Sequence, residues 1–169
     1  MIESLLNGLE KGKKDFGVEY NVITCAMRHH SAKQNYQMIK TACQFLGRGV
    51  CAADLAGAEA QYPMTEFMEL FEQTKKLGMP FTIHAGECGN AQNIVDANRS
   101  RGKKNRTWYC GIGEGHEEDY KKLVKERHIG VEICPISNLQ TKAVKRPEEY
   151  PIKEFLNAGL LVSVNTDNR

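Results

Sequence analysis

The sequence predicts an α/β fold of the β/α-barrel kind, and three observations lead there. Five apolar runs of strand length alternate with amphipathic stretches at about the thirty-residue period of a strand-helix-strand unit. Each run is apolar nearly throughout instead of alternating, the mark of parallel strands covered on both faces. The polar residues Arg28-His29, Asp54, His84, Ser137-Asn138 and Asp167 all fall where a strand ends. An open doubly wound sheet fits the alternation equally well but concentrates its site at one switch point. A barrel draws its site from many strand ends at once, and that is the distribution seen here.

Taken in order, Ile2, Leu5, Leu6 and Leu9 form a helical stripe over 2–14, stopped by Lys-Lys-Asp-Phe-Gly. A strand is expected over 20–27, closing on Arg28-His29-His30. Ser31 is placed to cap a helix over 32–46, where Tyr36, Ile39, Ala42, Cys43 and Leu46 recur at three and four residues and Gly47 ends the run. A strand over 49–55 opens into Ala56-Gly57-Ala58-Glu59. A helix over 64–77 carries Phe67, Leu70, Phe71 and Thr74 on one face and stops at Gly78. Phe81 to Ile83 read as a short buried strand, so His84 falls where it gives way to its loop. Further helices are expected over 91–97 and around Leu123 and Val124. A strand over 130–135 is followed by a loop, a short helix over 152–157 ended by Ala158-Gly159, and a last strand over 160–167.

A chain of 169 residues is long enough for one sizeable core and reads as a single domain. No run approaches the length of a membrane span, and the start, Met1-Ile2-Glu3-Ser4, has neither the basic end nor the apolar centre of a secretory signal, so the cytoplasm is the expected location. Six cysteines occur without a C-x-x-C pair, which favours reduced, mostly buried thiols over a zinc knuckle or a disulfide frame; Cys88 and Cys134 are expected to pack, and His116 and His128 to be exposed. The net charge of +2 arises locally from Arg99, Arg101, Lys103, Lys104 and Arg106; without those five, 18 basic residues face 21 acidic ones. No aromatic ladder accompanies the basic run, so it reads as a solvated loop and nucleic-acid binding is set aside. Oligomeric state is not readable.

The stretch with the most chemistry is Pro80-Phe81-Thr82-Ile83-His84-Ala85-Gly86-Glu87. A histidine ligand to a metal, with a glutamate handling protons for the metal's water, is a hydrolytic pairing. The same two residues at a strand end serve equally well as a hydrogen-bonded pair with no catalytic role, and Asp54 can merely order the loop at Gly57.

Asp54-Leu55-Ala56-Gly57-Ala58-Glu59, His84-Ala85-Gly86-Glu87, Cys134-Pro135-Ile136-Ser137-Asn138 and Asn165-Thr166-Asp167-Asn168-Arg169, in this order and spacing, resemble the adenosine deaminase family; Cys25-Ala26-Met27-Arg28-His29 looks like its third strand. The resemblance implies a partial eight-stranded, TIM-type β/α barrel, about strands 3 to 8 over residues 1–169, lacking the first two strands and the C-terminal helices. It implies Zn2+ as cofactor with His84 and Asp167 as metal ligands, Glu87 as the proton-shuttling catalytic acid, and Gly57 and Asn168 as contacts to the purine of a nucleoside substrate. Asn168 stands where many relatives carry a second Asp, exchanging a carboxylate for an amide at the base. The implied function is zinc-dependent hydrolytic deamination of adenosine or deoxyadenosine in purine salvage. Adenine or AMP deamination and a non-catalytic remnant are the alternatives.

Two departures bear on activity. The family's first strand supplies two zinc ligands from a His-x-His pair, and none occurs here; His29-His30 is adjacent, so on a strand the two side chains point to opposite faces. Two ligands fall one short of the three a catalytic zinc requires, and the chain alone is expected to be inactive. The family's Arg-Ile-Gly-His-Gly strand is also missing from residues 98–115. One codon choice for residues 98–110, read one nucleotide later, restores it, so either a frameshift or an ordinary basic loop occupies the segment, with Trp108 and Tyr109 available as a makeshift sixth strand.

Overall fold

The computed structural model describes residues 1–87, 92–99, 108–110 and 117–167. Helix α1 (Ile2–Phe16) leads into strand β1 (Val22–Met27), helix α2 (Ala32–Ala42) and strand β2 (Val50–Ala56). Helices α3 (Met68–Lys75) and α4 (Gln92–Arg99) follow, then β3 (Trp108–Cys110), α5 (Glu117–Glu126), β4 (Gly130–Ile133), α6 (Pro135–Gln140), α7 (Ile152–Asn157) and β5 (Leu161–Val164). Short 3-10 turns finish α2 at Cys43–Phe45 and precede α3 at Met64–Phe67.

Every strand pair is parallel, as the unbroken apolar runs require. The described residues form part of the α/β arrangement expected, in partial sheets and not a closed barrel. They make two ladders, one of β1 and β2 and one ordered β3-β4-β5. The segment expected as a strand at 81–83 is attached to β2 without being a regular strand: Ala53 N–H donates to the Pro80 carbonyl, Thr82 N–H to the Ala53 carbonyl and His84 N–H to the Leu55 carbonyl, at 2.9, 2.8 and 3.1 Å, with one bridge, Ala53 to Phe81. Trp108 to Cys110 do add a strand beside β4, in register with Gly130 to Glu132. The rest of the basic stretch lies outside the described residues, apart from Asn98 and Arg99 in α4.

One apolar core joins the two ladders. Leu55, Ile39, Phe71, Phe81, Ile83, Ile94, Val131, Ile133 and Phe155 all belong to it, and the Phe71 and Phe81 rings meet edge to face at 4.8 Å. The chain is locked where β1 passes into α2. Ser31 and Gln34 form a reciprocal capping box on α2, and buried Asn35 reaches back from α2 to exchange two bonds with the Met27 main chain, at 3.0 and 2.9 Å.

Several expectations are corrected. Ser137 and Asn138 lie in α6, not a loop: Pro135 opens that helix at a position needing no N–H. His29 and His30 lie beyond the end of β1, exposed, with rings 4.5 Å apart, so the two-faces argument does not apply. Cys134 is buried, Cys43 and Cys51 are half-buried and Cys25 is exposed, all four with free thiols. His128 is exposed as expected, whereas Cys88 and His116 lie outside the described residues. No helix among the described residues is long and apolar enough to cross a membrane.

Candidate active site

His84 follows the short ladder beside β2, and Asp54 lies within β2 itself. This adjacency puts His84 Nδ1 2.7 Å from Asp54 Oδ2, with the carboxylate buried and the imidazole half-exposed. The bond to Asp54 raises the His84 pKa to about 9, against the lowering effect of burial; Glu87 and Asp167 add to the rise. Burial pushes Asp54 upward, but its bond to His84 and the imidazolium charge bring it below the usual carboxylate range. Asp54 Oδ2 also takes the Cys25 thiol at 3.5 Å. Partial burial of the sulfur and the carboxylate push that thiol up to about 12, so near neutrality it stays protonated.

Glu87 lies three residues on, half-buried. Its Oε1 accepts the Asn138 side-chain amide at 2.9 Å and the Thr141 hydroxyl at 3.4 Å. Asn138 is itself fixed, since its Oδ1 accepts the Cys134 N–H at 3.1 Å and the Tyr150 hydroxyl. Asp167 sits beyond β5 in left-handed backbone, φ 53°, and is exposed. The Asn165 N–H donates to the Ile133 carbonyl at 2.8 Å, carrying the β4-β5 ladder one step toward it. The influence of Glu87 and Asp167 on the His84 proton brings all three expected residues into one electrostatic neighbourhood. Half-buried Glu132, on β4, shares it: burial raises its pKa while His84 opposes the rise. Gly57, exposed at the end of β2, has φ 116°, and a Cβ there would lie 3.4 Å from Arg28 backbone and Cβ atoms. Asn168 lies outside the described residues.

A metal is tested by donor chemistry. Asp54 occupies Nδ1 of His84, leaving Nε2 as the ligand nitrogen, the arrangement by which a carboxylate fixes the tautomer of a metal-bound histidine. Imidazole nitrogen and carboxylate oxygen from Asp167 are donors zinc accepts. The residues present therefore fit the ion in kind, although no group of three such side chains is assembled among the described residues.

The sequence reading missed the layer beneath these side chains. Arg28, almost fully buried at the end of β1, donates to the carbonyls of Tyr62 and His84 at 2.6 and 2.7 Å. Burial pulls its pKa down, and the charges of Glu59, Asp54 and Glu66 oppose that fall. Buried Glu59 accepts the N–H groups of Gly86 and Glu87 at 2.5 and 3.0 Å. Arg28 and Glu59 were visible only as part of longer motifs.

A family model described as adenosine deaminase matches residues 1–169. The chain is 38% identical over 173 residues to an adenosine deaminase of Enterococcus faecalis, covering 100% of this chain and 49% of that one. It is 36% identical to one of Clostridium perfringens, covering 100% and 50%. The chain thus spans about half the length of the curated relatives it matches. Among solved structures it resembles an adenine deaminase from Arthrobacter aurescens, with TM-score 0.81, 28% identity, and coverage of 95% of this chain and 48% of that one. It also superposes on an amidohydrolase from Burkholderia ambifaria with bound zinc, with TM-score 0.83 over 98% of this chain and 46% of that one; at 18% identity this likeness concerns the fold.

Proposed function

Because this chain belongs to the adenosine deaminase family, we propose that the protein carrying it hydrolyses the 6-amino group of a purine nucleoside, adenosine or deoxyadenosine, giving the 6-oxo nucleoside and ammonia. The observation that carries the reading is the His84 imidazole fixed through Nδ1 by Asp54, with Glu87 and Asp167 acting on its charge. His84, through Nε2, and Asp167 are the residues that would hold zinc. Zinc bound there supplies a water acidic enough to serve as a hydroxide nucleophile near neutral pH. Asp54 keeps His84 in the tautomer a ligand needs. Glu87 carries a proton to the ring nitrogen beside the attacked carbon, which makes that carbon electrophilic, and Asn138 holds the carboxyl in place between transfers. The Gly57 backbone and Asn168 would meet the purine, with side-chain bulk absent at residue 57.

The free base is a second candidate substrate, favoured by the likeness to an adenine deaminase. A chain that binds without turnover is favoured by the lack of a three-residue ligand group among the described residues. The purified protein that carries this chain, supplied with zinc, is offered adenosine, adenine and AMP in parallel, with ultraviolet absorbance following deamination and atomic absorption the metal. Adenosine is expected to react fastest. Glu87→Gln should keep its zinc and lose on the order of 10²–10⁴ in rate, the usual contribution of a positioned proton donor. Zinc retention with no turnover of any of the three would overturn the reaction and leave the binding reading.

A further inference from the structure

Gly86 is in left-handed backbone, φ 84°, and a Cβ there would lie 2.5 Å from Ile94 Cδ1, so the turn carrying Glu87 runs bare against α4. Its two successive N–H groups, Gly86 and Glu87, both enter the carboxylate of Glu59, one to each oxygen. Charge-assisted bonds of this kind are roughly twice as strong as neutral ones, and two in parallel fix orientation as well as distance. Glu59 is buried, and its charge acts on the Arg28 guanidinium against the effect of burial. Arg28 also holds the His84 carbonyl, so the ends of β1 and β2 grip the peptide chain on both sides of Ala85. Fixing the Glu87 N–H fixes the direction in which its side chain leaves the backbone, and the carboxyl then reaches Asn138.

We propose that Glu59 is a positioning residue for Glu87: by clamping the two amides of the turn it aims the Glu87 carboxyl through the backbone. This rests on the reading of Glu87 as the proton carrier, and it adds that the carrier's placement is set from the loop after β2. A merely structural Glu59, satisfying buried N–H groups, would stabilise the turn without governing where the carboxyl goes.

The test compares Glu59→Gln and Glu59→Asp with the unaltered protein. Glutamine keeps the size but offers one acceptor and turns an NH2 toward an N–H. Aspartate keeps both acceptor oxygens on a shorter stem. Amide exchange at Gly86 and Glu87 should quicken by at least about tenfold in E59Q, as expected for a lost charge-assisted bond. The decisive signal is the Asn138 side-chain amide, which donates to the Glu87 carboxylate. It should move toward its solvent-exposed position in E59Q and return part way in E59D, while core amides such as Leu55 stay put. In zinc-loaded protein E59Q should lower kcat on the order of a hundredfold with KM little changed, since a misplacement of about 1 Å has that effect. Quickened Gly86 and Glu87 exchange with an unmoved Asn138 signal would overturn the assignment, and the same pair of signals in E59D decides the matter if E59Q fails to fold. Because the Asn138 readout needs no turnover, it decides the role of Glu59 separately from the reaction.

Discussion

His84 and Asp54 show how much one hydrogen bond can settle at a single residue. In the metal-free chain the bond raises the His84 pKa from 6.5 to about 9, so the pair contributes stability that is fully present below pH 6.5 and lost as pH rises through about 9. Urea midpoints measured from pH 6 to pH 10 should therefore fall across the upper part of that range, and Asp54→Asn should remove that component of the fall. Gly86→Ala tests a different residue: the added methyl meets Ile94 at 2.5 and 2.8 Å in a backbone region side chains disfavour. The expected loss is about 1–3 kcal/mol by thermal denaturation, partly relieved by Ile94→Val, which removes the nearer carbon. At this scale the sequence was half legible. His84 and Glu87 announce themselves as an imidazole and a carboxylate at a strand end. Glu59 and Arg28 do not, because their partners are main-chain amides and carbonyls, which every residue has, so no complementary residue type marks the contact.

Elements were legible where their periodicity ran long. Helix α2 has a serine ahead of a regular apolar stripe, and its start is found where these place it. Its cap is exposed to direct test: Ser31→Ala should cost about 0.5–2 kcal/mol, read as a lowered urea midpoint, without altering zinc binding. Helix α6 was not legible, since six residues complete too few turns to show a period and Pro135 reads equally as the end of a strand. What fixes it is Asn138, whose side chain returns to the Cys134 N–H at the helix start. The Phe81 segment failed in the opposite way. Its composition is that of a buried strand, but it meets β2 through a single bridge, Ala53 to Phe81, and composition cannot count the bridges a segment will make.

For the whole molecule, parallel pairing followed from apolar runs alternating with helices, whereas the division of the strands into separate ladders did not, because it depends on which edges find each other. The described strands make two ladders around one core. Shared packing and separate hydrogen bonding have different kinetic consequences. Side-chain packing couples the ladders when the entire chain unfolds, but a backbone amide is released to solvent only when its own ladder opens, so the molecule has two independent routes to partial opening. Native-state hydrogen exchange in rising denaturant should resolve them as two families of amides, one from β1 and β2 and one from β4 and β5, merging only near the global transition. A single family throughout would mean that the core, not the ladders, sets the unit of cooperativity. His84 is bonded by its N–H to β2 and Glu87 by its N–H to Glu59 just beyond β2, whereas Asp167 follows β5, two residues past the last bond of the second ladder. Opening of either ladder would break up the proposed zinc site long before the protein unfolds, giving metal release a rate of its own.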